Sequence, residues 1–115
     1  MFERASFCKI ITGEIPSDKV YENDSVLAFR DIDPKAPTHI LIIPKEHIAT
    51  TNNLDDSHKL LVGEMLIAAK DIAEQESIAD SGYRTVFNCN QHGGQAVYHI
   101  HLHLLGGRQM NWPPG

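Results

Sequence analysis

The sequence predicts an α+β fold, with an antiparallel sheet of about five strands carrying one long and one short helix. Short β-rich runs bounded by turn formers supply the strands, and one segment, residues 54–76, switches to a helical period. Alternation of strand and helix is too sparse for a parallel, doubly wound sheet. Sequential strands are therefore expected to pair antiparallel, with helices packed on one face.

Phe7-Cys8-Lys9-Ile10-Ile11 runs into Thr12-Gly13-Glu14-Ile15-Pro16 and reads as the short helix, ended by Gly13 and barred from continuing by Pro16. Its apolar residues are expected to cover an edge of the sheet. Lys19-Val20-Tyr21-Glu22 and Val26-Leu27-Ala28-Phe29-Arg30-Asp31 form a hairpin around Asn23-Asp24, which tolerate left-handed conformations. After the break at Asp33-Pro34-Lys35-Ala36-Pro37, Thr38 to Ile43 is a buried strand, with His39 at its start and Pro44 at its end. In the long helix Leu61, Met65, Ala68 and Ile72 are spaced by four, three and four, and Asp55, Asp56 and Ser57 are available as caps. Tyr83 to Asn88 is a strand, Gly93-Gly94-Gln95 a polar loop, and His99-Ile100-His101-Leu102-His103-Leu104-Leu105 the last strand. Its strict alternation sends Ile100, Leu102 and Leu104 to the core and the three histidines to the other face.

A chain of 115 residues is expected to be one domain, spanning 1–115, because this length buries roughly two thirds of its unfolded surface. A hydrophobic fraction of 42% and a charged fraction of 22% are those of an ordinary globular protein. The net charge of −5 argues against a nucleic-acid backbone as partner, though a single small phosphate group is allowed. Cys8 and Cys89 are too few and too far apart for a disulfide framework or a Cys-x-x-Cys knuckle, so reduced thiols and a cytoplasmic location are expected. Met1-Phe2-Glu3-Arg4 lacks a basic region followed by an apolar run, so a leader is not expected, and no run approaches the ~20 apolar residues of a membrane span.

The histidine row carries the chemistry. A single histidine is ordinarily a surface residue, but His99, His101 and His103 at i, i+2, i+4 form a pattern that chance surface placement does not produce. A shared metal is limited by geometry: at ~3.3 Å per residue the outer two lie about 13 Å apart, so at most two rings could meet at one ion. Nucleophilic attack on phosphorus fits better, with a neutral central imidazole, His101, attacking while its neighbours bind oxygens or move protons. Its other ring nitrogen is then expected to donate to a backbone carbonyl. Gly93-Gly94 permits close approach of backbone N–H groups to an anion, and Gln95 adds side-chain donors. Asp31 is either a turn residue or an acceptor for sugar hydroxyls. Trp112, on the proline-rich tail, is either a loose end or a contact.

His-φ-His-φ-His-φ-φ, with φ apolar, from His99 to Leu105 resembles the signature of the histidine-triad (HIT) family. Leu27 to Ile32, Ala36-Pro37-Thr38-His39, Gly93-Gly94-Gln95, Val97-Tyr98 and Gly106 to Met110 resemble its Hint branch of purine nucleoside phosphoramidases, bacterial type. The resemblance implies a homodimer with one continuous sheet, a purine nucleoside monophosphate or phosphoramidate as ligand, and neither cofactor nor catalytic metal. It implies that His101 becomes nucleotidylated, that His103 and the Gln95 loop, including Gly94, Ala96 and Val97, hold the α-phosphate, and that His39 and His99 orient and transfer protons. It further implies that Asp31 binds the ribose, that Phe7, Ile10, Phe29 and Ile32 surround the base, and that Asn88 lies beside the phosphate. The tail, 108–115, would reach the partner subunit, with Trp112 on the leaving-group side.

Two positions depart from the branch: Ala96, where a serine is common, and Asn111, where animal relatives often have histidine. A dinucleoside polyphosphate hydrolase of the same superfamily, a non-catalytic nucleotide-binding regulatory protein and a zinc-binding module are the competing readings.

Overall fold

The structure, a computed structural model, describes the backbone of residues 4–115 and the side chains of residues 7–115, so Met1-Phe2-Glu3 lies outside the described residues. In chain order its elements are α1 (Arg4–Thr12), β1 (Lys19–Glu22), β2 (Val26–Arg30), β3 (Thr38–Pro44), α2 (Lys59–Gln75), β4 (Tyr83–Phe87), α3 (Asn90–Gly93) and β5 (Leu102–Gly106). The strands form one antiparallel sheet in the order β1-β2-β3-β5-β4. The expected α+β class and strand number therefore hold.

The two faces of this sheet are covered differently. On one face Met65, Ala68, Ala69, Ile72 and Ala73 of α2 pack on Val26, Ala28, Ile40, Ile42, Ile100, Leu102 and Leu104. On the other, Phe7 and Ile10 of α1 pack on Leu27, Phe29, Leu41, Ile43 and Val97. This corrects two expectations, since the helices do not share a face and α1 covers a face rather than an edge. Full burial of β3 on both faces is the reason, because Leu41 and Ile43 need cover as much as Ile40 and Ile42 do. Each such side chain removed from water contributes about 1.5–3 kcal/mol.

Three boundaries differ from the expected ones. Residues 54–76 are not one helix: 3-10 turns occupy Thr51–Asn53 and Asp56–His58, and α2 begins at Lys59. Asp55 caps the second turn by accepting from the Ser57 N–H, so the capping signal is real but belongs to a shorter element. The Gly93 loop begins as the one-turn helix α3, and Gly94 follows in the left-handed conformation (φ 78°) that closes it. The histidine row is a strand only from Leu102. Before that, the Ile100 N–H leaves the sheet to donate to the Ile48 carbonyl at 2.8 Å. Ile100, Leu102 and Leu104 still share the core below α2, so alternation predicts the faces where it overreaches on the strand.

Candidate active site

Four histidines converge on the α1 side of the sheet. β3 and β5 lie in register with His39 opposite Leu105 and Leu41 opposite His103, which brings the imidazoles of His39 and His103 side by side. The His101 ring follows at 4.9 Å from that of His103, and Phe7 of α1 meets His101 edge-on at 5.3 Å.

Hydrogen bonding assigns the protons. His101 Nδ1 lies 2.8 Å from the His99 carbonyl, which can only accept, so Nδ1 carries the proton and Nε2 keeps its lone pair. The Lys35 N–H donates to His39 Nδ1 at 3.0 Å, which puts the His39 proton on Nε2. From there it is directed at His103 Nδ1, 2.9 Å away, leaving the His103 proton on Nε2. Asp31, just beyond β2, holds its Oδ2 3.5 Å from His39 Nε2, and its Oδ1 accepts from the Asp33 N–H. Burial disfavours the charged form of three of these rings: it lowers the pKa of His39 and of His101 below the ordinary 6.5. Burial, reinforced by the neighbouring His101 and His39, brings His103 to about 4. His39, His101 and His103 are thereby held in their neutral forms at pH 7, the form in which an imidazole can act as a nucleophile.

His99 behaves differently from the other two members of the row. Its ring is fully buried, Nε2 donates to the Pro44 carbonyl at 2.8 Å, and Nδ1 faces His47 Nδ1 at 3.1 Å. Sequence reasoning missed His47, which stands alone in Lys45-Glu46-His47 with no periodic partner. Only the long-range approach to His99 gives it meaning.

Beside the histidines a cleft of about 310 Å³ opens between the end of α1 and the end of β2. Of the expected base and ribose contacts, Ile10, Phe29, Asp31 and Ile32 line it, and Phe7 stands behind Phe29 in an edge contact at 5.7 Å. Pro16, Ser17, Asp18 and Arg30 complete the lining and were not singled out from the sequence. The register of the hairpin brings them there: the Arg30 N–H donates to the Asp18 carbonyl at 3.0 Å, folding residues 16–18 over the end of β2.

The glycine loop is built otherwise than expected. The Gly94 and Gln95 N–H groups are spent inside the turn, on the Gln91 and Asn90 carbonyls. The Gln95 side chain is spent too. Its Nε2 donates to Ala49 O at 2.8 Å and Val97 O at 3.0 Å, while its Oε1 accepts from the Asn90 N–H. Gln95 is thus a brace, not an anion donor, because a part-buried and a buried carbonyl claim its amide. The amides of Ala96 and Val97, next along the loop, are among those for which the described residues supply no acceptor. Asn88 sits half-buried at the base of this loop, where its backbone approaches Gly93.

Trp112 is exposed and lines a different cleft, with Arg84, Arg108 and Met110, where the tail is tied down by Arg84 donating to the Asn111 carbonyl at 2.8 Å. Within one chain it is not part of the histidine cluster. Among the described residues, two sets of side chains have ligand atoms within 4.8 Å of one another, as a metal needs: Cys8, His47 and His99, and Asp31, His39 and His103. Neither contains two members of the row.

Comparison with known proteins bears on this geometry. A family profile described as "HIT domain" matches residues 12–110. The chain is 58% identical over 110 residues to the "Purine nucleoside phosphoramidase" of Escherichia coli strain K12, covering 96% of this chain and 92% of that protein. It is also 58% identical to a "14 kDa zinc-binding protein" of Zea mays, over 95% of this chain and 86% of that one. Among solved structures, a HIT family hydrolase from Legionella pneumophila Philadelphia 1 superposes with a TM-score of 0.93 at 61% identity, covering 95% of this chain and 97% of that chain.

Proposed function

The chain belongs to the HIT family, and from that premise we propose that it is a purine nucleoside phosphoramidase. It hydrolyses the P–N bond of adenosine or guanosine 5′-phosphoramidates to an amine and the nucleoside monophosphate. One observation carries the reading: His101 Nδ1 donates to the His99 carbonyl, which leaves the Nε2 lone pair available for attack.

The reaction is a double displacement. His101 Nε2 attacks phosphorus, the P–N bond breaks, and the amine leaves with a proton supplied in the site. The charge gathering on the imidazole is stabilised through Nδ1–H by the carbonyl it already faces. Water then attacks phosphorus, the P–Nε2 bond breaks, and His101 returns to its starting tautomer. Two inversions retain configuration at phosphorus.

The neighbouring groups take roles their hydrogen bonds support. His103 Nε2–H and the amides of Ala96 and Val97 bind phosphate oxygens, with Asn88 beside them. His39 holds the His103 tautomer, and His99, whose ring is engaged by Pro44 and His47, positions His101 through its carbonyl. Asp31 accepts from the ribose hydroxyls, and Phe7, Ile10, Phe29 and Ile32 enclose the base. No metal ion takes part in this route.

We further propose a cytoplasmic homodimer. β4 is an edge strand with its outer ladder unpaired among the described residues, and exposed edges of this kind are ordinarily covered. Joining two copies there makes the sheet continuous and lets the tail, with Trp112, reach the other subunit on the leaving-group side.

The test is turnover of adenosine 5′-phosphoramidate, followed as ammonia and AMP. The wild type is expected to release both in equal amounts. Binding of AMP without turnover would return the protein to the class of nucleotide-binding regulators, and preferential cleavage of diadenosine polyphosphates would make it a pyrophosphohydrolase.

A further inference from the structure

We infer that Ser17 and Asp18 form a base-reading edge at the mouth of the nucleoside cleft and give this protein a preference for guanosine over adenosine substrates. The inference rests on the proposed function for the identity of the occupant, and adds which purine it carries.

Two independent features point to it. Ser17 Oγ is, among the described residues, the buried side-chain polar atom with no hydrogen-bond partner, and Ser17 lines the cleft. A buried hydroxyl left unpaired in this way is satisfied when a ligand brings the partner. The adjoining Asp18 is weakly held. Its side chain is 73% exposed, and among the described residues its ion pair is with Arg30 Nε at 3.5 Å. The tip of that guanidinium is committed elsewhere, to Glu76 by two bonds of 2.8 Å. The Asp18 backbone is nonetheless fixed, because its carbonyl accepts from the Arg30 N–H. The edge is therefore preplaced in backbone and free in side chain.

The chemistry of the two purines then decides. With the ribose on Asp31 and the ring faces against Ile10, Phe29 and Ile32, the six-membered ring in the proposed pose is directed toward Ser17 and Asp18, which line the same cleft. Guanine presents there an acceptor, O6, followed by two donors, N1–H and the 2-amino group. A carboxylate, which only accepts, takes both donors, and a neighbouring hydroxyl rotated about χ1 donates to O6. Adenine presents a lone pair at N1, which faces the carboxylate unfavourably, and only the 6-amino group as donor. Exposure of Asp18 keeps the discrimination modest, about tenfold in kcat/KM, as one charge-assisted bond supplies.

The experiment compares guanosine, inosine and adenosine 5′-phosphoramidates as substrates for the wild type, Asp18→Asn and Ser17→Ala. The expected order for the wild type is guanosine, then inosine, then adenosine, with about tenfold between the ends. Asp18→Asn, whose amide can donate to adenine N1 and accept from its amino group, should level or reverse the order. Ser17→Ala should weaken guanosine and inosine alike. Equal kcat/KM for guanosine and adenosine in the wild type, or a ratio untouched by Asp18→Asn, would overturn the inference and leave the phosphoramidase reading intact. Titration with GMP and AMP separates the two failures. Absent turnover with tighter GMP binding removes the proposed reaction and keeps the guanine edge, whereas equal binding removes the edge.

Discussion

At the scale of the residue, catalysis turns on proton positions. His101→Ala removes the proposed nucleophile while leaving Asp31 and the apolar walls in place. It should lower turnover on the order of 10⁴-fold or more while AMP still binds, as calorimetry would record. The neutral ring that attacks is lost on protonation, and burial holds the His101 pKa below 6.5. The profile of kcat/KM is therefore expected to be level through neutrality and to fall only on the acid side of pH 6.5; a fall that begins above pH 7 would contradict a buried nucleophile. The gathering of imidazoles was legible in the sequence, because side chains at every second position point to one side, although of the row only His103 lies on β5. The division of labour was not. That His99 turns inward to Pro44 and His47 follows from contacts more than 50 positions apart, for which a linear pattern has no signal.

At the scale of the element, the loop between α3 and β5 is the part whose function rests on a brace. Gln95 satisfies three backbone groups with one side chain, so Gln95→Ala leaves the carbonyls of Ala49 and Val97 unpaired. A loss of about 1–3 kcal/mol of stability is expected, measured by denaturant unfolding. Turnover should fall with it, because the Ala96 and Val97 amides lose their placement. Were Gln95 instead a direct phosphate ligand, activity would drop without any loss of stability. Strands, the hairpin and the register-bearing apolar runs were readable because period two and turn residues are local signals. The 3-10 turns ahead of α2 and the one-turn α3 were not, since a few capping residues cannot tell a short turn from the start of a long helix. The position of α1 was misread for another reason: which face of a buried strand lacks cover is settled only when the whole sheet is assembled.

At the scale of the whole molecule, the same buried histidines couple folding to acidity. Below 6.5 the unfolded chain takes up protons that the folded cluster refuses, so stability is lost as pH falls from 6.5 toward the His103 value of about 4. Thermal melts at constant ionic strength should therefore be flat above pH 7 and decline through that window. Sedimentation should return twice the 12.8 kDa chain mass if β4 edges pair. Turnover per folded protein should survive dialysis against a chelator, since no step of the displacement uses a metal; a loss restored by zinc would place a metal in the site. The covalent intermediate is the most direct test of a histidine nucleophile. The wild type is mixed with a purine nucleoside 5′-phosphoramidate, quenched within the first turnover under alkaline conditions that preserve a phosphorus–imidazole bond, and mapped by peptide mass spectrometry. One nucleotidyl group, on His101, is the predicted result. An adduct on another residue, or full turnover with no adduct at any quench time, would contradict the double displacement through His101.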